Sequence, residues 1–168
     1  PWEGIHAAQC YRTNFPITVS GPTTVTGNYF KWLTVSGHKY DTSGNALSGW
    51  TIKLYRDGSL YDSMDTVADG SYQFTVKEPG DYSIKEMLKA GWTKVSPGPQ
   101  VIGDPSTDTE VDGYTFTAES GVDVSGKDFT NFKWLTVSGY KFFDADGLGV
   151  RDTGEPGLEY WSIKLYKD

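Results

Sequence analysis

The chain is short of the residues that mark several common protein classes. It has one cysteine, Cys10, so no internal disulfide framework can form. That leaves the compartment open. Basic residues are outnumbered, 15 Lys and Arg against 22 Asp and Glu, for a net charge of −7. They are also scattered, whereas a nucleic-acid partner calls for a basic stripe. No apolar run nears the roughly 20 residues of a membrane span. There is no N-x-S/T acceptor, initiator Met or signal-peptide pattern, and the chain is read as a mature or excised fragment. His6 and His38 are isolated, and no Ser/His/Asp, Cys/His or glycine-rich phosphate pattern accompanies them. No enzyme is expected.

Aromatics are plentiful, at 15% of 168 residues, and twenty glycines and eight prolines punctuate the chain. Trp50, Ile52 and Leu54 alternate with Thr51, Lys53 and Tyr55; Tyr72, Phe74 and Val76 alternate with Gln73 and Thr75; Tyr82 and Ile84, then Tyr114 and Phe116, do the same. A period of two marks half-buried strands. Asp57-Gly58, Asp69-Gly70, Pro79-Gly80 and Asp112-Gly113 read as turns. About seven strands are expected, arranged as a two-sheet sandwich. An open barrel is the alternative, and a short helix is conceivable around Glu86–Ala90.

The chain repeats itself. FKWLTVSG stands at residues 30–37 and again at 132–139, an offset of 102. WTIKLYRD at 50–57 matches WSIKLYKD at 161–168, an offset of 111. The later copy therefore holds nine extra residues between its first two strands. The expected organisation is the end of a preceding repeat in 1–29, a complete sandwich in 30–131, and the start of a following repeat in 132–168. No Gly/Ser spacer separates the copies. Trp32 and Trp134 fall at equivalent junctions, either wedging neighbouring domains or serving as core residues.

The nine extra residues lie in an acidic loop. From Asp144 it reads DADGLGVRDTGE, with acids at loop positions 1, 3, 9 and 12 and Gly149 at position 6. These are the ligand and sharp-turn positions of a twelve-residue calcium loop. Asp144, Asp146, Asp152 and Glu155 would supply carboxylate oxygens, and Val150 a backbone carbonyl. Leu148 stands at position 5, where a side-chain ligand is usual. The alternative is a solvated acidic hairpin loop. The corresponding HKYDTSGN of the first copy lacks the acids and reads as a plain turn.

The stretch VSGYKFFDADGLGVRDTGEPGLEYWSIKLYKD resembles the start of SdrD B-like repeats of bacterial and archaeal surface proteins. That resemblance implies an all-β fold of tandem immunoglobulin-like or prealbumin-like sandwiches, calcium held by Asp144, Asp146, Asp152 and Glu155, and a rigid spacer role in adhesins and cell-surface structures. A related group, the collagen-adhesin B-type domain, joins a Lys to an Asn through a bond assisted by a buried Glu. Glu86 and Asn131 resemble its acid and its Asn. The related domains place the Lys three residues before the Asp that closes the first strand, which here is His38. Lys39 is one residue away, and such a slip points it to the other face. The reading therefore favours a Glu86 held by ordinary hydrogen bonds over a cross-link of Lys39 to Asn131.

The expected function is structural: an extracellular, cell-surface stalk, filament or envelope layer whose partners are neighbouring repeats or copies of the chain. The alternative is an adhesion or carbohydrate-binding module, which would need several aromatic rings exposed together to take a surface ligand or glycan.

Overall fold

The computed structural model describes residues 29–167. The expected end of a preceding repeat lies almost wholly outside the described residues, as do His6 and Cys10. The chain divides into two units, residues 1–134 and 135–168.

The first unit is an all-β sandwich. Its strands, in order, are β1 (Leu33–Asp41), β2 (Thr51–Arg56), β3 (Ser59–Asp65), β4 (Ser71–Val76), β5 (Asp81–Leu88), β6 (Trp92–Ser96), β7 (Val101–Ile102), β8 (Thr109–Thr117) and β9 (Phe129–Lys133). One sheet has the order β4-β1-β9-β6-β7 and the other β3-β2-β5-β8. The short helix conceived around Glu86–Ala90 is absent, because Glu86 continues the alternation of Tyr82 and Ile84 to Leu88 within β5.

The alternating residues supply the core. Leu33 and Val35 of β1, Ile52 and Leu54 of β2, Tyr72, Phe74 and Val76 of β4, Tyr82 and Ile84 of β5 and Phe129 of β9 form one buried cluster. Each aliphatic side chain so removed from water contributes roughly 1.5–3 kcal/mol. Trp50, Leu88 and Val111 form a smaller cluster at one end. Asp57 and Gly58 join β2 to β3 through a two-residue turn with φ of 47° and 81°, the positive-φ geometry that matches strand twist. Neither junction tryptophan is a core residue. Trp32 is exposed with Lys77 Nζ 5.0 Å from its ring centroid, and Trp134 donates from Nε1 to Thr93 Oγ1 at 2.8 Å.

The last strand is unusual in its direction. β9 runs parallel to β1, with Lys39 beside Phe129 and Asp41 beside Asn131, and antiparallel to β6, with Lys94 opposite Asn131. Two tyrosines moor its approach. Tyr114 donates its hydroxyl to the Asp128 carbonyl at 2.7 Å, and Tyr72 donates to the Lys127 carbonyl. Asp128 also accepts the His38 amide at 2.8 Å. This fixes β9 lengthwise against β1, and so fixes which inner residues meet.

The second unit reproduces the opening of the first in its backbone. Tyr40 bridges Ala46, and the equivalent Phe142 bridges Gly157. The Lys39 carbonyl accepts the Leu47 amide at 2.8 Å, and the Lys141 carbonyl accepts the Leu158 amide at 2.8 Å. Lys39 Nζ stands 4.6 Å from the Trp50 ring centroid, and Lys141 Nζ stands 5.0 Å from that of Trp161. The surroundings differ. Leu33, Val35, Ile52 and Leu54 are buried, while their counterparts Leu135, Val137, Ile163 and Leu165 are exposed.

Candidate functional site

Three polar side chains meet inside the first unit. Lys39 on β1, Glu86 on β5 and Asn131 on β9 are each 0% exposed. Lys39 Nζ lies 2.9 Å from Glu86 Oε2, and Asn131 Nδ2 donates to the same oxygen at 3.1 Å. The expectation that Lys39 points away from Glu86 is thus corrected. In β1, Leu33, Val35, Gly37 and Lys39 are buried in alternation, and His38 lies on the other phase, partly exposed and 3.6 Å from Asp128. The inward phase is set by Leu33 and Val35, not by distance from Asp41.

The surroundings of the three are apolar. Lys39 Nζ faces the rings of Trp50 at 4.6 Å and Phe129 at 5.8 Å. A lysine cation gains from such rings but loses its hydration. Burial, set against the Glu86 carboxylate, lowers the Lys39 pKa to about 8. Burial likewise raises that of Glu86, opposed by Lys39. The environment therefore moves both groups toward their neutral forms.

The hydrogen-bond accounting points the same way. Lys39 Nζ lies 2.9 Å from Glu86 Oε2 without a hydrogen bond to it, and among the described residues Glu86 Oε1 and Asn131 Oδ1 likewise have no partner. Buried polar atoms rarely go unpaired. A proton on Glu86 Oε1 would satisfy both at once, as a carboxylic acid paired with a carboxamide. In that protonation state Lys39 would be a neutral amine and the Asn131 carbonyl would accept from an acid, a combination suited to acyl transfer.

Lys94 is the residue that sequence reasoning missed. It is 3% exposed, and its Nζ donates to the Asp112 carbonyl at 2.6 Å. Its strand gives no warning, because Thr93 and Lys94 are buried side by side ahead of a register shift between Lys94 and Ser96.

The acidic loop of the second unit brings together Asp144, Asp146 and Glu155, with one oxygen from each inside a 4.8 Å span. Glu155 is 9% exposed despite its charge. Its Oε1 accepts the Ala145 amide at 2.8 Å and its Oε2 the Asp152 amide at 3.1 Å. Asp144 accepts the amides of Gly147 and Gly149, which holds its carboxyl below the usual range. Gly149 has φ of 75°, the left-handed turn expected at loop position 6. The carboxylate of Asp152 is not among the converging three, and Leu148 and Val150 have exposed side chains. A set of clustered carboxylates is chemically suited to a hard cation.

Comparison with known proteins adds the family context. Residues 33–94 match the SpaA prealbumin-like fold domain, a span that holds Lys39, Glu86 and Lys94. Serine-aspartate repeat-containing protein D of Staphylococcus aureus (strain Newman) is 28% identical over 146 residues, covering 83% of this chain, and its MW2 counterpart matches equally. Both matches support an SdrD B-like repeat. The chain spans about a tenth of the length of these relatives. Among solved structures, a streptococcal ancillary pilin covers 61% of this chain and 32% of its own, at 20% identity and a TM-score of 0.37. A Klebsiella pneumoniae 5-hydroxyisourate hydrolase covers 66% of this chain and 100% of its own, at 18% identity and 0.34. At those scores neither bears on what the chain does. No helix among the described residues is long and apolar enough to cross a membrane.

Proposed function

We propose that the chain is a rigid spacer of a cell-surface stalk or filament, working outside the cell as tandem sandwich repeats, and that its first unit is locked by an amide bond between Lys39 and Asn131. The observation that supports the lock is the fully buried contact of Lys39, Glu86 and Asn131. Neutral Lys39 Nζ adds to Asn131 Cγ while Glu86 protonates Oδ1. Glu86 next carries the proton given up by Nζ to Nδ2; Oδ1 then returns its proton to Glu86 as the carbonyl re-forms, the Cγ–Nδ2 bond breaks and ammonia leaves. One N–C bond replaces another, with no redox change and no added reactant. The bond would tie β1 to β9, the first strand to the last, so that a pull on the two ends bypasses the sheets. This is a single self-modification, not turnover of a substrate.

Intact mass under denaturing conditions tests it. The expected mass is that of the sequence less one ammonia, with Lys39 and Asn131 recovered in one branched peptide. Full mass after prolonged folding, or unlinked peptides, would sink the lock.

In the second unit we infer a calcium site on Asp144, Asp146 and Glu155, with Asp152 and the Val150 carbonyl closing in when the ion is present. Bound calcium would neutralise the acids and brace the loop; it would supply no chemistry. The exposed row of Leu135, Val137, Ile163 and Leu165 fits burial by strands from a neighbouring repeat or a copy of the chain. Within the first unit the binding-module alternative draws little support, since Trp50, Tyr72, Phe74, Tyr82 and Phe129 are buried; the second unit exposes Tyr140, Phe143, Tyr160, Trp161 and Tyr166.

A further inference from the structure

Asn131 has a lysine on each side. β9 lies between β1 and β6, so Lys39 and Lys94 reach its buried face from opposite neighbours. Lys94 is directly opposite Asn131 in the β6–β9 ladder, where Cβ atoms stand about 5 Å apart. From there its side chain crosses to the other sheet and donates to the Asp112 carbonyl at 2.6 Å. That carbonyl belongs to a bulge. Ile84 pairs with Tyr114 and Lys85 with Asp112, which leaves Gly113 without a partner on β5, and a bulge turns backbone groups out of the ladder. Only glycine fits there, because a Cβ would lie 2.3 Å from the Phe129 ring. One N–H of Lys94 is thus committed and two remain, next to an Asn131 whose Oδ1 lacks a partner.

A lysine buried without a carboxylate of its own is costly. Within the first unit's core its charge acts on two titratable groups. It disfavours the Lys39 ammonium and favours the Glu86 carboxylate. For the proton those two share, the effects oppose each other.

We propose that Lys94 assists the Lys39–Asn131 reaction electrostatically, its ammonium moored to the Asp112 carbonyl beside Asn131, where Oδ1 gains electron density ahead of the proton from Glu86 as Lys39 Nζ adds to Cγ. The same mooring keeps Lys94 from attacking in place of Lys39. The inference rests on the cross-link reading and goes beyond it. A charge poised where an oxyanion forms is worth a large rate factor, often a hundredfold for one donor.

The test follows ammonia loss by intact mass after refolding the full chain, with circular dichroism reporting the fold. Lys94→Gln retains a donor for Asp112 but no charge, Lys94→Met retains neither, and Lys94→Arg retains the charge. Lys94→Gln and Lys94→Met should fold and cross-link at least about tenfold more slowly, with Lys94→Arg nearer the parent rate. Peptide mapping should find Lys94 free. If Lys94→Met does not fold, Lys94→Gln decides. A folded Lys94→Gln that cross-links at the parent rate overturns this role and leaves the lock standing, as does a bond formed through Lys94. A parent chain that never loses ammonia removes the lock and this role together.

Discussion

Lys39 shows how one buried group ties fold to chemistry. Removing it leaves Glu86 buried without its amine partner, and an unpaired buried polar group costs about 1–3 kcal/mol. Lys39→Ala should therefore lower the melting temperature and retain full mass. Asn131→Ala should also retain full mass while keeping the Lys39–Glu86 contact, so it should melt above Lys39→Ala; the reverse order in a thermal melt would contradict a stabilising role for that contact. The pH dependence follows from the shared proton. Lys39 as amine with Glu86 as acid carries the same number of protons as the ion pair, so the rate should be flat near neutrality. Above about 8 Lys39 gives up that proton, Glu86 has none to donate, and the rate should fall. Lys94, Asn131, Trp50 and Phe129 also face the pair. A rate that climbs steadily to pH 10 would indicate simple amine attack without the acid.

At the level of elements, alternation alone placed Trp50, Ile52 and Leu54, Tyr72 to Val76, and Tyr82 to Glu86 on the inside, and all of them are there. The inward phase of Lys39 was equally readable from Leu33, Val35 and Gly37. Distance from Asp41 is a poor guide to that phase, because its carboxylate is spent on its own turn, accepting the Ser43 and Asn45 amides. Lys94 was not readable, because its burial depends on bulges in β6 and β8 that break the period of two. The acidic loop was legible as spacing, and the convergence of Asp144, Asp146 and Glu155 follows from Gly147 and Gly149 turning the chain. Calorimetric titration should find one calcium site with a Kd on the order of 10⁻⁴ to 10⁻³ M, lost in Asp146→Ala and tightened in Leu148→Asp. No heat up to several millimolar calcium would remove the site.

For the whole molecule, the two units start with nearly the same sequence and the same local backbone, yet one buries its apolar row and the other exposes it. Strand pattern fixes which residues of a strand face inward, but burial needs the facing sheet. Hydrogen exchange of the chain should show β1, β5 and β9 strongly protected and residues 135–165 exchanging fast. Residues 30–131, excised, should give a β-type spectrum and a cooperative melt in the presence of chelator, since they contain no cysteine and the acidic loop lies outside them. The most direct test of a locked spacer is to stretch single chains from both ends. Lys39 and Asn131 bracket 91 residues, which would release about 300 Å of contour if free to extend. The locked chain should show no extension step of that size, and Lys39→Ala should restore it. A parent chain that yields the full step at ordinary unfolding force would contradict the account.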